Sequence, residues 1–119
     1  TTNIKALLLK QDFIAGMGNI YTDEALFEAG ISPHRRVPTL TDEEIENLYR
    51  AIKKVLKLGI KYNGTTFSDY VNASGDSGNF QEKLKVYQHD GEECPRCHSR
   101  IEKEKIAGRG SHFCPYCQE

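Results

Sequence analysis

The chain has 119 residues, 28% charged and 38% hydrophobic, with a formal net charge of −1. That composition supports one modest core with a small appendage and excludes a disordered chain. No apolar run approaches membrane-span length, no basic-then-apolar leader opens the chain, and the charge balance by itself singles out no partner.

The first residues, Thr1-Thr2, run almost directly into the apolar stretch 4–9, which reads as a fragment or a processed product. Ile4, Leu7 and Leu8 recur at helical spacing, and the glycine-bearing stretch 12–18 breaks that helix. A second helix is expected to start near Asn19, a good N-cap residue, and to end at Gly30, a good C′ residue. Pro33 and Pro38 mark a loop. Thr41-Asp42-Glu43-Glu44 has the form of a capping box, and Ile45, Leu48, Tyr49, Ile52, Val55 and Leu56 after it predict an amphipathic third helix. Residues 63–83, rich in Gly, Ser, Asn and Asp, read as a long loop with a short strand or helical turn near 67–71. Long loops in small proteins are usually functional or disordered. Beyond it the pattern predicts a short strand at 84–87 and a second over 101–106. A turn at 107–110 and a return strand at 111–113 follow, forming a β-hairpin whose tip carries Arg109 between two glycines. The fold class is mainly α with a small β: a helical domain over 1–83 and a finger over 84–119.

Four cysteines, Cys94, Cys97, Cys114 and Cys117, form a C-x2-C-x16-C-x2-C pattern in a basic tail. Residues 94–119 hold five Lys/Arg against three Asp/Glu, whereas residues 1–93 hold 11 against 14. Each CxxC turn can offer two thiolates to one tetrahedral ion, and a hairpin joining the turns gathers all four. Taken alone, Cys114-Pro115-Tyr116-Cys117 resembles a redox dithiol. Such a dithiol normally opens a helix, and two residues follow Cys117. One structural zinc is the favoured reading, with a redox pair or an iron site as the alternatives. So short a finger cannot bury enough apolar surface alone, and zinc would supply the missing stability. Arg96, Arg100, Lys103, Lys105 and Arg109 can offset the −2 charge of a four-thiolate site. His98 and His112 are read as exposed polar neighbours rather than ligands.

"AGMGNIY" at 15–21 is a glycine-rich turn opening into a helix, where free N–H groups suit a phosphate. Spacing alone favours an ordinary interhelical turn. Arg109 is either a phosphate contact or a solvated loop arginine. Arg50, Lys53, Lys54, Lys57 and Lys61 form one basic face, for which plain solvation is the more economical reading than DNA contact. Asp23/Glu24 and Glu43/Glu44 are read as helix-start residues that complement the dipole. No nucleophile–base pair stands out.

Together these residues resemble a known family. "IKALLLKQDFIAGMGNIYTDEALFEAGISP" is similar to the helix–two-turn–helix module of bacterial formamidopyrimidine-DNA glycosylases. "GNFQEKLKVYQHDGEECPRCHSRIEKEKIAGRGSHFCPYCQ" is similar to their loop exit and C-terminal zinc finger. The ending "AGRGSHFCPYCQ" resembles the oxidised-purine branch rather than the endonuclease VIII branch. The resemblance implies that Gly18 and Asn19, at the helix opening, and Arg109 bind phosphates flanking a damaged nucleotide, with Lys5 near the same backbone. It implies that the loop about 64–83, through Thr66, Phe67, Ser68, Asp69 and Tyr70, closes over a flipped base. It also implies one structural Zn2+ on the four cysteines, damaged double-stranded DNA as partner, a monomer, and a bacterial cytoplasmic, nucleoid-associated setting. In the family an N-terminal domain carries the catalytic proline and glutamate. Residue 1 here is Thr, so this chain is expected to lack that chemistry and to need the missing domain. Lys10 stands where the family often has an acidic residue. Two other readings compete: a zinc-stabilised protein-interaction module without a DNA role, and a dithiol oxidoreductase.

Overall fold

The computed structural model describes residues 2–11, 18–61 and 84–119. Three helices, α1 (Ile4–Gln11), α2 (Gly18–Ala29) and α3 (Asp42–Lys61), precede a two-stranded antiparallel sheet of β1 (Glu102–Ile106) and β2 (Arg109–Phe113). The glycine-rich turn before Gly18 and the loop residues Thr66–Tyr70 lie outside the described residues. Among the described residues no helix is long and apolar enough to cross a membrane.

Helix α1 starts at Asn3, whose side-chain oxygen accepts the Ala6 N–H at 3.0 Å. Its amide reaches the Pro33 carbonyl at 2.8 Å, tying the helix start to the loop after α2. Helix α2 is the central element. Residues 21–27 are buried without interruption, so it has no solvent face to give it an amphipathic pattern. It ends on Gly30, whose φ of +75° is a left-handed conformation that favours glycine. The Ile31 N–H then bonds back to Leu26 and the Gly30 N–H to Phe27, at 3.0 and 3.1 Å. That pair of bonds is a Schellman motif, and buried Ile31 and Leu26 join the same apolar cluster.

Helix α3 begins with both arms of the capping box formed. Thr41 N–H donates to Glu44 Oε1 at 2.9 Å, and Glu44 N–H donates to Thr41 Oγ1 at 3.1 Å. Glu44 also accepts a two-pronged bond from Arg35, at 2.9 and 3.0 Å. The buried face of α3 is Leu48, Ala51 and Val55. Two members of the expected stripe lie off it: Ile45 is 48% exposed and Tyr49 59% exposed. On a helical wheel they sit on the flank of the arc that Leu48, Ala51 and Val55 bury.

Residues 84–87 do not form the expected strand; they bend and turn. Their N–H groups are taken by a side chain. The buried Glu24 carboxylate accepts from Lys85 at 2.8 Å, Val86 at 2.9 Å and Tyr87 at 2.8 Å. With three successive donors converging on one carboxylate, no strand ladder is available to them. Glu24 is therefore an anchor, not a helix-start residue.

The hairpin turns on Ala107 and Gly108, both at positive φ (54° and 79°), as a two-residue turn of primed type requires. The register runs from Ile106↔Arg109 to Glu102↔Phe113. Arg109 is thus the first residue of β2, one step past the turn, rather than its tip. Phe27, Val86, Cys94, Ile101 and Cys114 form a second buried cluster, so α2 supplies apolar surface to the helices and the finger alike.

Candidate metal site and nucleic-acid interface

The four cysteine sulfurs all lie within 4.8 Å of one another. Cys94 and Cys117 are 3.7 Å apart and Cys97 and Cys114 3.4 Å apart. A disulfide needs about 2.05 Å, whereas a tetrahedron with arms of about 2.3 Å has edges near 3.8 Å. The donors therefore fit one zinc ion. Each knuckle points a backbone N–H at its own first sulfur: Arg96 at Cys94 (3.3 Å) and Cys117 at Cys114 (3.4 Å). Such donors favour thiolates. Ser99 helps further, its hydroxyl and N–H bringing the exposed Cys97 thiol down to about 6. Burial instead pushes Cys114 and Cys117 up, so a bound cation must displace those protons. The site is a place for one structural zinc.

Side chains join this finger to the helices. Gln118 is buried; its Oε1 accepts the Cys114 N–H at 2.7 Å and its Nε2 donates to the Ile31 carbonyl at 3.0 Å. The Arg96 guanidinium donates to the Phe27 carbonyl at 3.0 Å and lies 4.1 Å over the Phe27 ring, at the carbonyl end of α2. His98 is exposed, as expected. His112 is not. It is 4% exposed, its ring packs on Tyr87, and both its N–H and its Nδ1 lie 3.0 Å from Asp23 Oδ2.

The structure brings Asn19, Lys5 and Arg109 together. Asn19 Nδ2 and Lys5 Nζ both donate to the Gly110 carbonyl, each at 3.1 Å. Gly18 opens α2 just beside Asn19. Arg109, adjacent to Gly110, is exposed. The Asn19 amide uses one of its two hydrogens here, and among the described residues no second acceptor meets it. Lys5 requires a correction. It is fully buried, and its ammonium also donates to Asp23 Oδ1 and Ser111 Oγ, each at 2.7 Å. Three bonds exhaust its donors, so it lies beneath the surface patch and does not offer itself to a phosphate. Burial lowers its pKa, Asp23 raises it, and the nearby Arg109 charge lowers it again.

Asp23 and Ser111 are the residues that sequence reasoning passed over. Asp23 is 1% exposed and is no helix-start decoration. The available hint was the setting: two acids inside Tyr21–Phe27, with no polar face for them to occupy. The basic face of α3 is partly neutralised by its neighbours. Arg50 pairs with Glu46 at 2.7 Å, Lys54 with Glu28 at 2.9 Å, and Lys53 sits 4.8 Å over Tyr49, which suits the solvated reading.

Two successive helices, the second opening at Gly18, with a docked four-cysteine finger, define the class of helix–two-turn–helix zinc-finger proteins. Residues 1–71 match the formamidopyrimidine-DNA glycosylase H2TH domain, and residues 91–119 match the zinc finger found in FPG and IleRS. The chain belongs to the formamidopyrimidine-DNA glycosylase family. It is 52% identical over 117 residues to the formamidopyrimidine-DNA glycosylase of Carboxydothermus hydrogenoformans, covering 98% of this chain and 44% of that protein. It is 55% identical over 115 residues to that of Desulfitobacterium hafniense, covering 97% and 42%. Among solved structures, Lactococcus lactis Fpg bound to abasic-site DNA superposes with a TM-score of 0.86 at 42% identity, covering 100% of this chain and 44% of that one. MutM with DNA containing carbocyclic 8-oxo-G gives 0.85 at 42% identity, covering 100% and 43%. The chain thus spans less than half the length of the relatives it matches.

Proposed function

We propose that this chain is the damaged-DNA-binding portion of a bifunctional glycosylase and abasic-site lyase that removes oxidised purines in base-excision repair. The helical part, 1–83, and the zinc finger, 84–119, jointly grip the duplex. Asn19, with Gly18 at the start of α2, and Arg109 on the finger hold backbone phosphates beside the lesion, which fixes register without reading sequence. Lys5 supports that patch from below. Thr66–Tyr70 close over the extruded base, a step any enzyme acting on a stacked base must provide for. The proline and glutamate chemistry belongs to the part of the relatives that this chain does not cover. The protein works as a monomer in the bacterial cytoplasm.

The observation that carries this reading is the meeting of Asn19 Nδ2 with the Gly110 carbonyl at 3.1 Å, beside an exposed arginine. A helix start and a hairpin 91 residues apart present donors and charge from one patch. The test is binding of the zinc-loaded chain to a duplex with an abasic-site analogue, against undamaged duplex, with and without a zinc chelator. Chelator-sensitive binding that prefers the damaged duplex supports the proposal. Binding to neither returns the reading to a protein-interaction module, for which Ile45, Tyr49 and Tyr116 are exposed large hydrophobic side chains among the described residues.

A further inference from the structure

The buried charges beneath Arg109 do more than fill space. Gly110 and His112 turn their backbone groups away from β1, because the Gly110 carbonyl accepts from Asn19 and Lys5 and the His112 N–H donates to Asp23. Helix side chains thus occupy the outer edge of β2, where another strand would otherwise pair. Asp23 is the centre of the arrangement. One oxygen takes Lys5 Nζ at 2.7 Å, and the other takes His112 N–H and lies 3.0 Å from His112 Nδ1. Lys5, so held, reaches both the Gly110 carbonyl and the Ser111 hydroxyl. Ser111 in turn donates to the Arg109 carbonyl at 3.3 Å.

We infer that Asp23 is a positioning residue for DNA binding: it clamps the edge of β2 to α1 and α2 and thereby fixes Arg109 relative to Asn19. The inference rests on the reading that Asn19 and Arg109 hold phosphates. Asp23 touches no DNA itself. Fixed geometry matters because a strand edge free to wander carries its arginine with it and gives up conformational freedom each time it binds. The clamp spends that freedom during folding instead, and Asp23 is fully enclosed, so water does not compete for its bonds.

The test compares the zinc-loaded wild type with Asp23→Asn, Arg109→Ala and the double variant, binding an abasic-analogue duplex over a range of salt. Asp23→Asn keeps the shape and removes the charge that holds Lys5. The clamp predicts roughly tenfold weaker binding for Asp23→Asn and a salt slope lower by about 0.9, the signature of one lost phosphate contact. Adding Asp23→Asn to Arg109→Ala should then cost little more. A residue that merely holds the fold reduces the active fraction and leaves the slope alone. If Asp23→Asn does not fold, the apolar replacement Lys5→Met with Asp23→Leu is measured in its place, since a well-packed apolar pair often substitutes for a buried ion pair. An unchanged slope in the folded clamp variant, with Arg109→Ala lowering it, overturns the clamp alone. If Arg109→Ala changes neither affinity nor slope, the phosphate reading fails and the clamp falls with it.

Discussion

Replacing Glu24 with Gln asks what holds the chain where it enters the finger. One carboxylate receives three successive N–H groups, from Lys85, Val86 and Tyr87, all within 2.9 Å. Glutamine keeps the shape but has one acceptor oxygen. If that oxygen serves Val86 and Tyr87, the new NH2 faces the Lys85 N–H, donor against donor. The reverse orientation strands the other two. A buried donor left unmatched costs about 1–3 kcal/mol, and bonds to an ionised acceptor are roughly twice as strong as neutral ones. Against this, burial raises the Glu24 carboxyl, so removing the charge recovers part of the cost of desolvating it. The net expectation is a loss of about 2 kcal/mol, or roughly 8 °C in Tm for a chain of this size. Glu24→Ala, which removes every acceptor, should cost on the order of 4 kcal/mol. Thermal unfolding with excess zinc, together with amide exchange at Val86, reads both effects. A Tm within about 2 °C of wild type and unchanged Val86 protection in Glu24→Gln would show that the carboxylate does not hold this segment.

Three further outcomes are expected. Gly30→Ala should cost about 1 kcal/mol from the left-handed backbone alone, because the added Cβ would meet the Cys117 carbonyl at an ordinary 3.6 Å; a neutral result in denaturant unfolding would refute it. Hydrogen bonds from Arg35, with the Thr41 N–H, hold the Glu44 carboxyl below its usual range against a small opposing effect of burial. A depressed folded pKa gives stability that is present above the unfolded value of 4.5 and lost as pH falls through the folded one. Wild type should therefore lose more Tm than Glu44→Gln as pH drops below 4.5, and parallel pH profiles would contradict the pairing. Cys94→Ser removes a fully buried sulfur and should abolish stoichiometric zinc binding, and with it much of the roughly 10–16 kcal/mol that zinc supplies to small fingers. Metal analysis after dialysis checks this, and one retained zinc per chain would count against the four-sulfur site.

What the sequence determined by itself lay within a few residues of its own signal. Thr41 and Glu44 are three positions apart, and both arms of their capping box form. Gly30 ends α2 because a left-handed residue is needed where the helix stops. The CxxC spacings gather four thiols because each turn is local and the hairpin between them is short. Tertiary structure decided where side chains act across long separations. Lys5 and Asp23 are 18 residues apart, Asp23 and His112 are 89 apart, and Glu24 reaches 61 to 63 residues ahead. Nothing in those stretches marks the pairings, so Lys5 read as a residue beside the DNA backbone and Asp23 and Glu24 as helix-start acids. Periodicity likewise placed Ile45 and Tyr49 in the apolar stripe but could not say where the covering surface ends. Propensity and capping act along the chain, whereas a buried charge is defined by whatever the fold brings to it.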